Sequence, residues 1–251
     1  MSARPATPIP SDVALCRSAL WEALALGFRR PTVETVARLA SGEGARALAE
    51  VAAVLDDRDE AGAAAARALG SDPPPGLAEL QAAYDRLFGH TARGAVPLYE
   101  TEYGEDSQFQ PQREMSDLVA FLRAFGLVLR PEARERPDHA ACECEFMLVL
   151  ARKEAWALEA AEAAMLEATR RAARLFLRDH LGRWAPALGR TLAREDPGGF
   201  YGALGRLCAV VVEAECRRAG VPAGPALLRL RSTETPEVPM GCGSPGEACG
   251  P

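Results

Sequence analysis

Residues 138–159 read DHAACECEFMLVLARKEAWALE, and this stretch decides the fold because it is the most apolar helical segment of the chain. Charged residues stand at its start, and residues 146–151 form one of the two longest apolar runs, the other being 207–212. A membrane-spanning helix needs about 20 predominantly apolar residues, so both runs are too short for that role. The segment therefore predicts a helix that is buried inside a protein core.

The composition of the whole chain favours helix as well. Of the 251 residues, 48% are hydrophobic and only 6% are aromatic. Ala and Leu are abundant and β-branched runs are few, a mixture that favours helices over sheets. The length fits one large domain or two small ones. We expect an all-α protein, either a single globular helical domain or one divided into two helical subdomains.

Charge and cysteine content exclude several classes of protein. The 29 basic and 35 acidic side chains give a net charge of -6, which disfavours nucleic-acid binding because that needs a clustered positive excess. The N-terminal residues contain no secretory signal, so we expect a cytoplasmic protein. Seven cysteines are an odd number, and their scatter through helical stretches predicts free thiols rather than a disulfide framework.

Apolar residues recur at helical spacing along most of the chain, and Gly89, Gly126 and Gly220 follow three of these stripes as helix stops. The clearest stripes are Cys16, Leu20, Leu24 and Phe28; Leu77, Leu80, Tyr84, Leu87 and Phe88; Met115, Leu118, Leu122 and Phe125; Met165, Thr169, Ala172 and Phe176; Leu181, Trp184, Leu188 and Leu192; and Tyr201, Leu204, Cys208 and Val211.

Three segments without apolar periodicity divide the chain. Residues 70–76 are rich in proline and predict a seam between an N-terminal third and the rest. Residues 1–10 predict a disordered N-terminus, and residues 232–251 predict a mobile tail of Cys, Gly and Pro. The helical domain is therefore expected over residues 11–231.

A long aromatic loop covers residues 89–112, which show neither helical nor alternating periodicity. It holds Tyr99, Tyr103 and Phe109, and this aromatic content argues against disorder. One interpretation is that these rings anchor the loop to the core. The alternative is a wall of a binding site, because tyrosine combines a large apolar body with a polar tip.

The densest polar cluster is the RPDH of residues 136–139, followed by Glu143. In a structural interpretation, Asp138 caps the helix and His139 pairs with Glu143 four residues later. In a functional interpretation, the helix start presents Asp138 and His139 to an adjacent groove, and Glu143 orients the imidazole. Such a site suits a cationic peptide.

An enzymatic interpretation makes His139 a general base that Glu143 or Asp138 orients. The sequence offers no further support for it, because a nucleophile elbow, a phosphate loop, a dinucleotide fingerprint and an HExxH motif are all missing. His90 and His180 read as surface or helix-end histidines without a role.

Metal binding is weakly indicated. Cys142 and Cys144 would point about 200° apart on a helix, so they are badly placed to share one ion. Cys242 and Cys249 could close a loop around a soft metal, but two thiolates fill only half of a zinc site. We therefore expect a solvated tail, and no cofactor.

Four motifs occur in a fixed order. They are YDRLF at 84–88, PLYETEY at 97–103, RPDH with ECEFM between 136 and 147, and FLRDHLGRW at 176–184. Together they resemble the TorD/DmsD/NarJ family of cytoplasmic molybdoenzyme chaperones, also called redox-enzyme maturation proteins, over about 77–221. The loop at 97–104 is most similar to the nitrate reductase delta-like, type II DMSO reductase branch. Arg136, Thr101 and Cys144 depart mildly from the family pattern of Glu, Ser and Leu.

The resemblance implies an all-helical chaperone that is not an enzyme. Its partners would be the precursor of a molybdopterin-containing catalytic subunit and the twin-arginine leader of that precursor, held until the cofactor is inserted and export proceeds. The charge balance predicts no nucleic-acid partner and the short apolar runs predict no stable membrane insertion. We expect a monomer or a dimer.

A leader with two arginines and an apolar stretch needs carboxylates beside a hydrophobic groove. We expect the polar side of this site, at the groove rim, to consist of Glu100, Glu102, Asp138, His139 and Glu143. The expected apolar wall consists of Tyr84, Leu87, Phe88, Tyr99 and Tyr103.

Two other functions compete with this one. A helical enzyme would use His139 and Glu143 for proton transfer or to hold a metal. A structural subunit would stay in the mature reductase instead of leaving after assembly.

Overall fold

The computed structural model describes residues 9–55, 60–89, 94–105, 110–130 and 135–232, and within them every regular element is helical. The all-α expectation is thereby confirmed. The helices are α1 (Pro10–Phe28), α2 (Val33–Thr35, continued by a π-helical turn, Val36–Ala40), α3 (Gly42–Leu55), α4 (Ala61–Arg67), α5 (Leu77–Phe88), α6 (Gln110–Ala124), α7 (Ala140–Glu159), α8 (Ala163–Asp179), α9 (Leu181–Glu195) and α10 (Phe200–Ala219).

Several predictions made from the sequence lie outside these described residues. They are residues 1–8 of the start predicted to be disordered (1–10), His90, Phe109, and residues 233–251 of the predicted tail (232–251) with Cys242 and Cys249. Pro10, the last residue of the predicted disordered start, already begins α1. Within the described ranges, no helix is both long enough and apolar enough to cross a membrane.

The core is built on two helix pairs, because α1 packs along α7 and α9 packs along α10. Helix α10 also contacts α1, α4 and α8, so it lies at the centre of the bundle. Trp21, Phe146 and Tyr201 are among the largest fully buried side chains. Leu69 and Leu80 belong to the same hydrophobic core, so apolar residues from both sides of the 70–76 segment share one interior. The division into two subdomains stays a prediction.

Glycines allow α9 and α10 to approach closely. A Cβ atom placed on Gly189 would collide with the backbone carbonyl of Gly205, and one placed on Gly205 would collide with that of Gly189. Only glycine lacks this atom, so the pair fixes the contact between the two helices. Gly220 ends α10 with a left-handed φ of 66°, as its position after the stripe predicts.

The loop before α6 is fixed as an ordered segment, which we call the strap (residues 97–104). Its backbone pairs with the turn before α7, since the amide of Glu100 donates to the Asp138 carbonyl and the amide of Ala140 donates to the Leu98 carbonyl. On its other side the strap pairs with residues 229–231 near the C-terminal end of the described chain. These bonds satisfy main-chain groups that burial would otherwise leave unpaired. The strap therefore forms a layer over the start of α7.

Candidate functional site

Asp138 ties the strap to α7. Its Oδ2 accepts the hydroxyl of Thr101 at 2.7 Å and the Thr101 amide at 3.3 Å. Arg136 donates to both oxygens of the same carboxylate, from Nε at 3.0 Å and from Nη2 at 2.6 Å. The Asp138 side chain is fully buried, and its ionised form is satisfied by these charge-assisted bonds. Asp138 therefore positions the strap against the start of α7.

His139 caps α7. Its Nδ1 accepts the backbone amide of Ala141 at 3.1 Å, so Nδ1 carries no proton and the neutral ring holds its hydrogen on Nε2. Burial lowers the pKa of His139 to about 4, and the negative charge of Asp138 only partly opposes this. Protonation of Nδ1 would also break the cap. The imidazole is therefore a neutral structural group near pH 7.

Behind the strap lies a set of side chains that we call the Glu100 cluster, made of Glu100, Glu143, His180 and Trp184. Glu100 Oε2 lies 3.0 Å from His180 Nδ1, and the Trp184 indole donates to Glu143 Oε2 at 3.3 Å. All four side chains are at least 97% buried. The cluster joins the strap, α7 and the start of α9.

Three polar atoms of this cluster have no hydrogen-bond partner among the described residues: Glu100 Oε1, Glu143 Oε1 and His180 Nε2. Burial raises the pKa of Glu100, against the opposing hydrogen bond and charge of His180. Burial and then the charge of Glu100 raise the pKa of Glu143 well above its usual range. Burial and the charge of the neighbouring carboxylate thus disfavour the ionised forms of Glu100 and Glu143 together.

The outer face of the strap is different, because it is partly open to solvent. The Tyr99 hydroxyl donates to Glu135 at 3.1 Å, and the Arg136 guanidinium lies 4.7 Å from the centre of the Tyr99 ring. Tyr84 is half-buried nearby, and burial, then the charges of Glu135 and Tyr99, raise its pKa. We call Tyr84, Tyr99 and Glu135 the outer face.

The expected exposure of the site residues was wrong for most of them. Asp138, His139, Glu143, Glu100 and Tyr103 are buried, so none of them lies at a groove rim. Each polar side chain among them has at least one hydrogen-bond partner, which makes its burial tolerable.

Leu87 and Phe88 are likewise part of the hydrophobic core instead of a groove wall. Tyr84, Tyr99 and Glu102 are half-buried and so keep part of the accessibility expected of a binding site.

The predicted local pairing at the start of α7 was also wrong. The capping residue is His139, not Asp138, and the side chain of Glu143 bonds Trp184 instead of His139. The version of the enzymatic hypothesis in which Glu143 orients His139 would need these two side chains in contact, and each of them bonds a different group. Within the part of the chain that the structure describes, His, Cys, Asp and Glu side chains form no group that could hold a metal ion.

His180 was missed, since a histidine at a helix junction reads as a surface residue. The chain places it 98% buried between α8 and α9, packed against Phe121 and Phe176. The FLRDHLGRW motif contains both His180 and Trp184 and was the available signal. Arg231 was missed as well. It pairs with Glu114 through two bonds of 2.9 and 3.1 Å and donates to the Thr101 carbonyl at 2.8 Å.

A broad groove runs beside the Glu100 cluster, between α6 and the junction of α8 and α9. It has a volume of about 1050 Å³, and its lining includes the apolar residues Ala120 and Phe121. Arg113, Asp117, Arg178 and His180 also line it. The groove is large enough for a polypeptide segment.

Comparison with known proteins gives a match to one family. The sequence profile described as "Nitrate reductase delta subunit" matches residues 43–189, which is more than half of the chain. The matched part contains the strap, the whole outer face and the Glu100 cluster. It leaves α1 and α10 outside.

Individual relatives carry related names. The chain is 34% identical to the selenate reductase assembly chaperone protein of Thauera selenatis, over 57% of this chain and 69% of that protein. It is 33% identical to the dimethyl sulfide dehydrogenase assembly chaperone protein of Rhodovulum sulfidophilum, over 63% and 64%. It is 32% identical to the chlorate reductase assembly chaperone protein of Ideonella dechloratans, over 59% and 75%. The second alignment spans slightly less than two thirds of the relative.

Proposed function

Because this chain belongs to the nitrate reductase delta subunit family, we propose that it is an assembly chaperone for the catalytic subunit of a molybdopterin-containing oxidoreductase. The resemblance read from the four motifs is confirmed at the level of the family. In the proposed role, the protein binds the twin-arginine leader and the unfinished catalytic subunit in the cytoplasm. It releases them after the cofactor is inserted, and it catalyses no reaction itself.

The observation that carries the proposal is the ordered strap, which exposes the outer face beside α7. An arginine-bearing leader followed by an apolar stretch needs carboxylate oxygens and aromatic surface together. Glu135 supplies the carboxylate, and the rings of Tyr84 and Tyr99 supply apolar area with polar tips. Glu102, half-buried in the strap, adds a second carboxylate.

The buried site residues support this face from within. Asp138 fixes Thr101, the backbone of His139 pairs with Tyr99, and Glu100 anchors the strap to His180. We therefore assign Asp138, His139 and Glu143 as positioning residues instead of direct contacts of the leader. Leu87 and Phe88 have the same indirect role through the core beneath α5.

Titration calorimetry tests the proposal with a synthetic peptide that carries two adjacent arginines followed by a leucine-rich stretch. We expect Tyr99→Ala and Glu135→Gln each to weaken binding by about tenfold, the loss that one charge-assisted or well-packed contact gives. The matched control is Glu50→Gln, an exposed glutamate on α3, which should bind like the wild type.

Two outcomes would count against the outer face. Equal affinity of all three variants would remove these residues from the site. Binding that does not weaken with added salt would exclude a contact between exposed charges and would favour purely apolar capture.

A permanent structural subunit was the competing hypothesis, and the relatives do not favour it because they are named assembly chaperones. Copurification separates the two roles. A chaperone is recovered with the precursor that still carries its leader, whereas a permanent subunit is recovered with the assembled, cofactor-loaded enzyme.

A further inference from the structure

A small recess opens beside the Glu100 cluster, under residues 222–225 that follow α10. Its volume is about 230 Å³. Tyr103 and Trp184 form aromatic walls, with ring centres 5.1 Å apart, and Glu100 also lines the recess. Gly104, Glu114, Arg178, Arg183, Pro222, Ala223, Gly224, Pro225 and Leu228 complete the lining.

Glu100 is 97% buried, and its Oε1 has no hydrogen-bond partner within the described ranges. A buried carboxylate oxygen without a donor is costly, and the cost is removed when a donor binds. Glu143 Oε1 and His180 Nε2 are unpartnered in the same cluster. The site therefore has spare acceptor capacity that the described part of the chain does not use.

The arginines that line the recess are engaged elsewhere. Arg178 donates to both oxygens of Asp179 at 2.7 and 2.6 Å. Arg183 Nη1 donates to the Asp179 carbonyl at 3.0 Å and lies 3.8 Å from Glu114. Both side chains are about half exposed, so they stand at the mouth of the recess and leave Glu100 Oε1 unbonded.

We infer that this recess receives one guanidinium group of the bound client polypeptide, with Glu100 as its carboxylate partner. The inference rests on the proposed function, which supplies an arginine-bearing leader as the ligand. It goes further by giving one arginine its own buried site, separate from the outer face of the strap.

The chemistry of the walls selects guanidinium over other cations. A guanidinium is planar, stacks on aromatic rings and is weakly hydrated, so it tolerates transfer into a recess lined by Tyr103 and Trp184. The ammonium group of lysine is strongly hydrated and loses more hydration free energy when it enters such a recess. The positive charge of a bound guanidinium would also favour the ionised form of Glu100, whose pKa is raised by burial.

The test compares the peptide with two adjacent arginines to a copy in which both arginines are citrulline, which keeps the shape and removes the charge. With wild-type protein, we expect the citrulline copy to bind at least about tenfold more weakly. With Glu100→Gln, this difference should shrink, because the carboxylate that senses the charge is gone. Glu105→Gln, an exposed glutamate just beyond the strap, is the control and should keep the full difference.

A second measurement keeps the test decisive if Glu100→Gln fails to fold. In wild-type protein labelled with ¹⁵N-tryptophan, the indole signal of Trp184 should shift on addition of the arginine peptide or of N-acetylarginine amide. Trp156, which is half exposed on α7, should not shift.

The outcomes separate this inference from the proposed function. If the arginine peptide binds, but neither citrulline nor Glu100→Gln changes its affinity, the recess is not the site and the chaperone role stands. If the peptide does not bind at all, the leader-binding role fails. If N-acetylarginine amide also leaves Trp184 unchanged, the recess holds only water and the inference fails with it.

Discussion

Two clusters of buried charged side chains differ in how completely they are paired. In the first, which we call the Arg17 cluster, Arg17 donates to Glu154 at 2.6 Å and to both oxygens of Glu215 at 2.7 and 2.8 Å. Arg170 and Arg218 donate to the same two carboxylates from the solvent side. Three guanidinium groups thus serve two carboxylates.

The Glu100 cluster has the opposite balance. Its two carboxyl groups, Glu100 and Glu143, share one histidine and one indole as partners, and three of its polar atoms are unpartnered within the described residues. The pKa values differ accordingly. Burial opposes ionisation in both clusters, but Arg17 lowers the pKa of Glu154 and Glu215, whereas the pKa of Glu100 and Glu143 is raised.

The difference indicates two purposes for buried charge in one fold. In the cluster with surplus cations, the carboxylates are ionised and paired with guanidinium groups, so the cluster joins α1, α7 and α10 as a structural unit. A cluster with too few cations has acceptor atoms without donors among the described residues, and it is here that we propose a positive group from outside. Burial alone therefore does not identify a functional site; the balance of donors and acceptors does.

The largest effect is expected from Arg17→Met, which removes the central cation and leaves two buried carboxylates facing each other. We expect a loss of about 3–5 kcal/mol in the free energy of unfolding, the usual result of breaking a buried ion pair. Urea unfolding followed by circular dichroism measures it. Arg38→Met, in an exposed pair with Glu34, should cost no more than about 1 kcal/mol. A similar cost for both variants would refute the structural role of the Arg17 cluster.

The next effect concerns pH and His139, whose pKa is lowered from 6.5 to about 4. The unfolded chain binds the proton more readily than the native one, so this residue makes stability rise with pH between 4 and 6.5. The size is on the order of 3 kcal/mol across that window.

His139→Asn tests this dependence, since asparagine also caps helices but does not titrate. Urea unfolding at several pH values should show a flatter profile between pH 4 and 6.5 for the variant. Glu154 and Glu215 affect a different pH range, because their native pKa is lowered and their stabilising effect is therefore lost only below their ordinary pKa of 4.5. An unchanged profile would mean that the imidazole is charged in the native state.

A smaller loss is expected from Asp138→Asn, which removes the charge that binds Thr101 and Arg136 to the start of α7. We expect a loss of about 1–3 kcal/mol, typical of a buried hydrogen bond to a charged group. Hydrogen exchange should also accelerate at the Thr101 amide, which donates to Asp138. Asp85→Asn, in a pair with the half-exposed Arg30, is the control. Unchanged exchange at Thr101 would show that the strap is held by its backbone bonds alone.

These variants also mark where sequence reasoning succeeded. Helices follow from local spacing, and α5 and α10 end at Gly89 and Gly220, where the stripes end. The start of α7 was located correctly within a residue or two. All of these features depend on neighbours in the sequence, so a single chain carries enough information to predict them.

The burial of the site residues could not be predicted in the same way. Asp138 bonds Thr101, 37 positions away, and Glu100 bonds His180, 80 positions away. Spacing within one helix offers only near partners, and it therefore suggested a pair between His139 and Glu143. A polar residue next to an apolar helix looks exposed until the distant segment that satisfies it is known.

The smallest effect is expected from Glu143→Gln. This variant also compares the two clusters directly, because the same substitution can be made at Glu215 in the Arg17 cluster. Burial and the charge of Glu100 raise the pKa of Glu143 above 4.5, so the native state favours its neutral form. Glutamine imitates that form, and we expect the free energy of unfolding near pH 4.5, where the wild-type carboxyl group is still largely neutral, to stay within about 1 kcal/mol of the wild type.

The sign of the pH dependence is fixed by the same shift. A carboxyl group with a raised native pKa makes stability fall as pH rises above its unfolded value, so Glu143→Gln should gain on the wild type as pH increases from 4.5. Glu215→Gln should instead be less stable than the wild type by a constant amount across this range, because the native pKa of Glu215 is lowered and the stabilising effect of its bonds to Arg17 is complete above pH 4.5. Urea unfolding of both variants measures the two trends. If the free energy of unfolding of Glu143→Gln decreased relative to the wild type with rising pH, Glu143 would be ionised in the native state. The Glu100 cluster would then contain a cation that stabilises this carboxylate, and it would not differ from the Arg17 cluster.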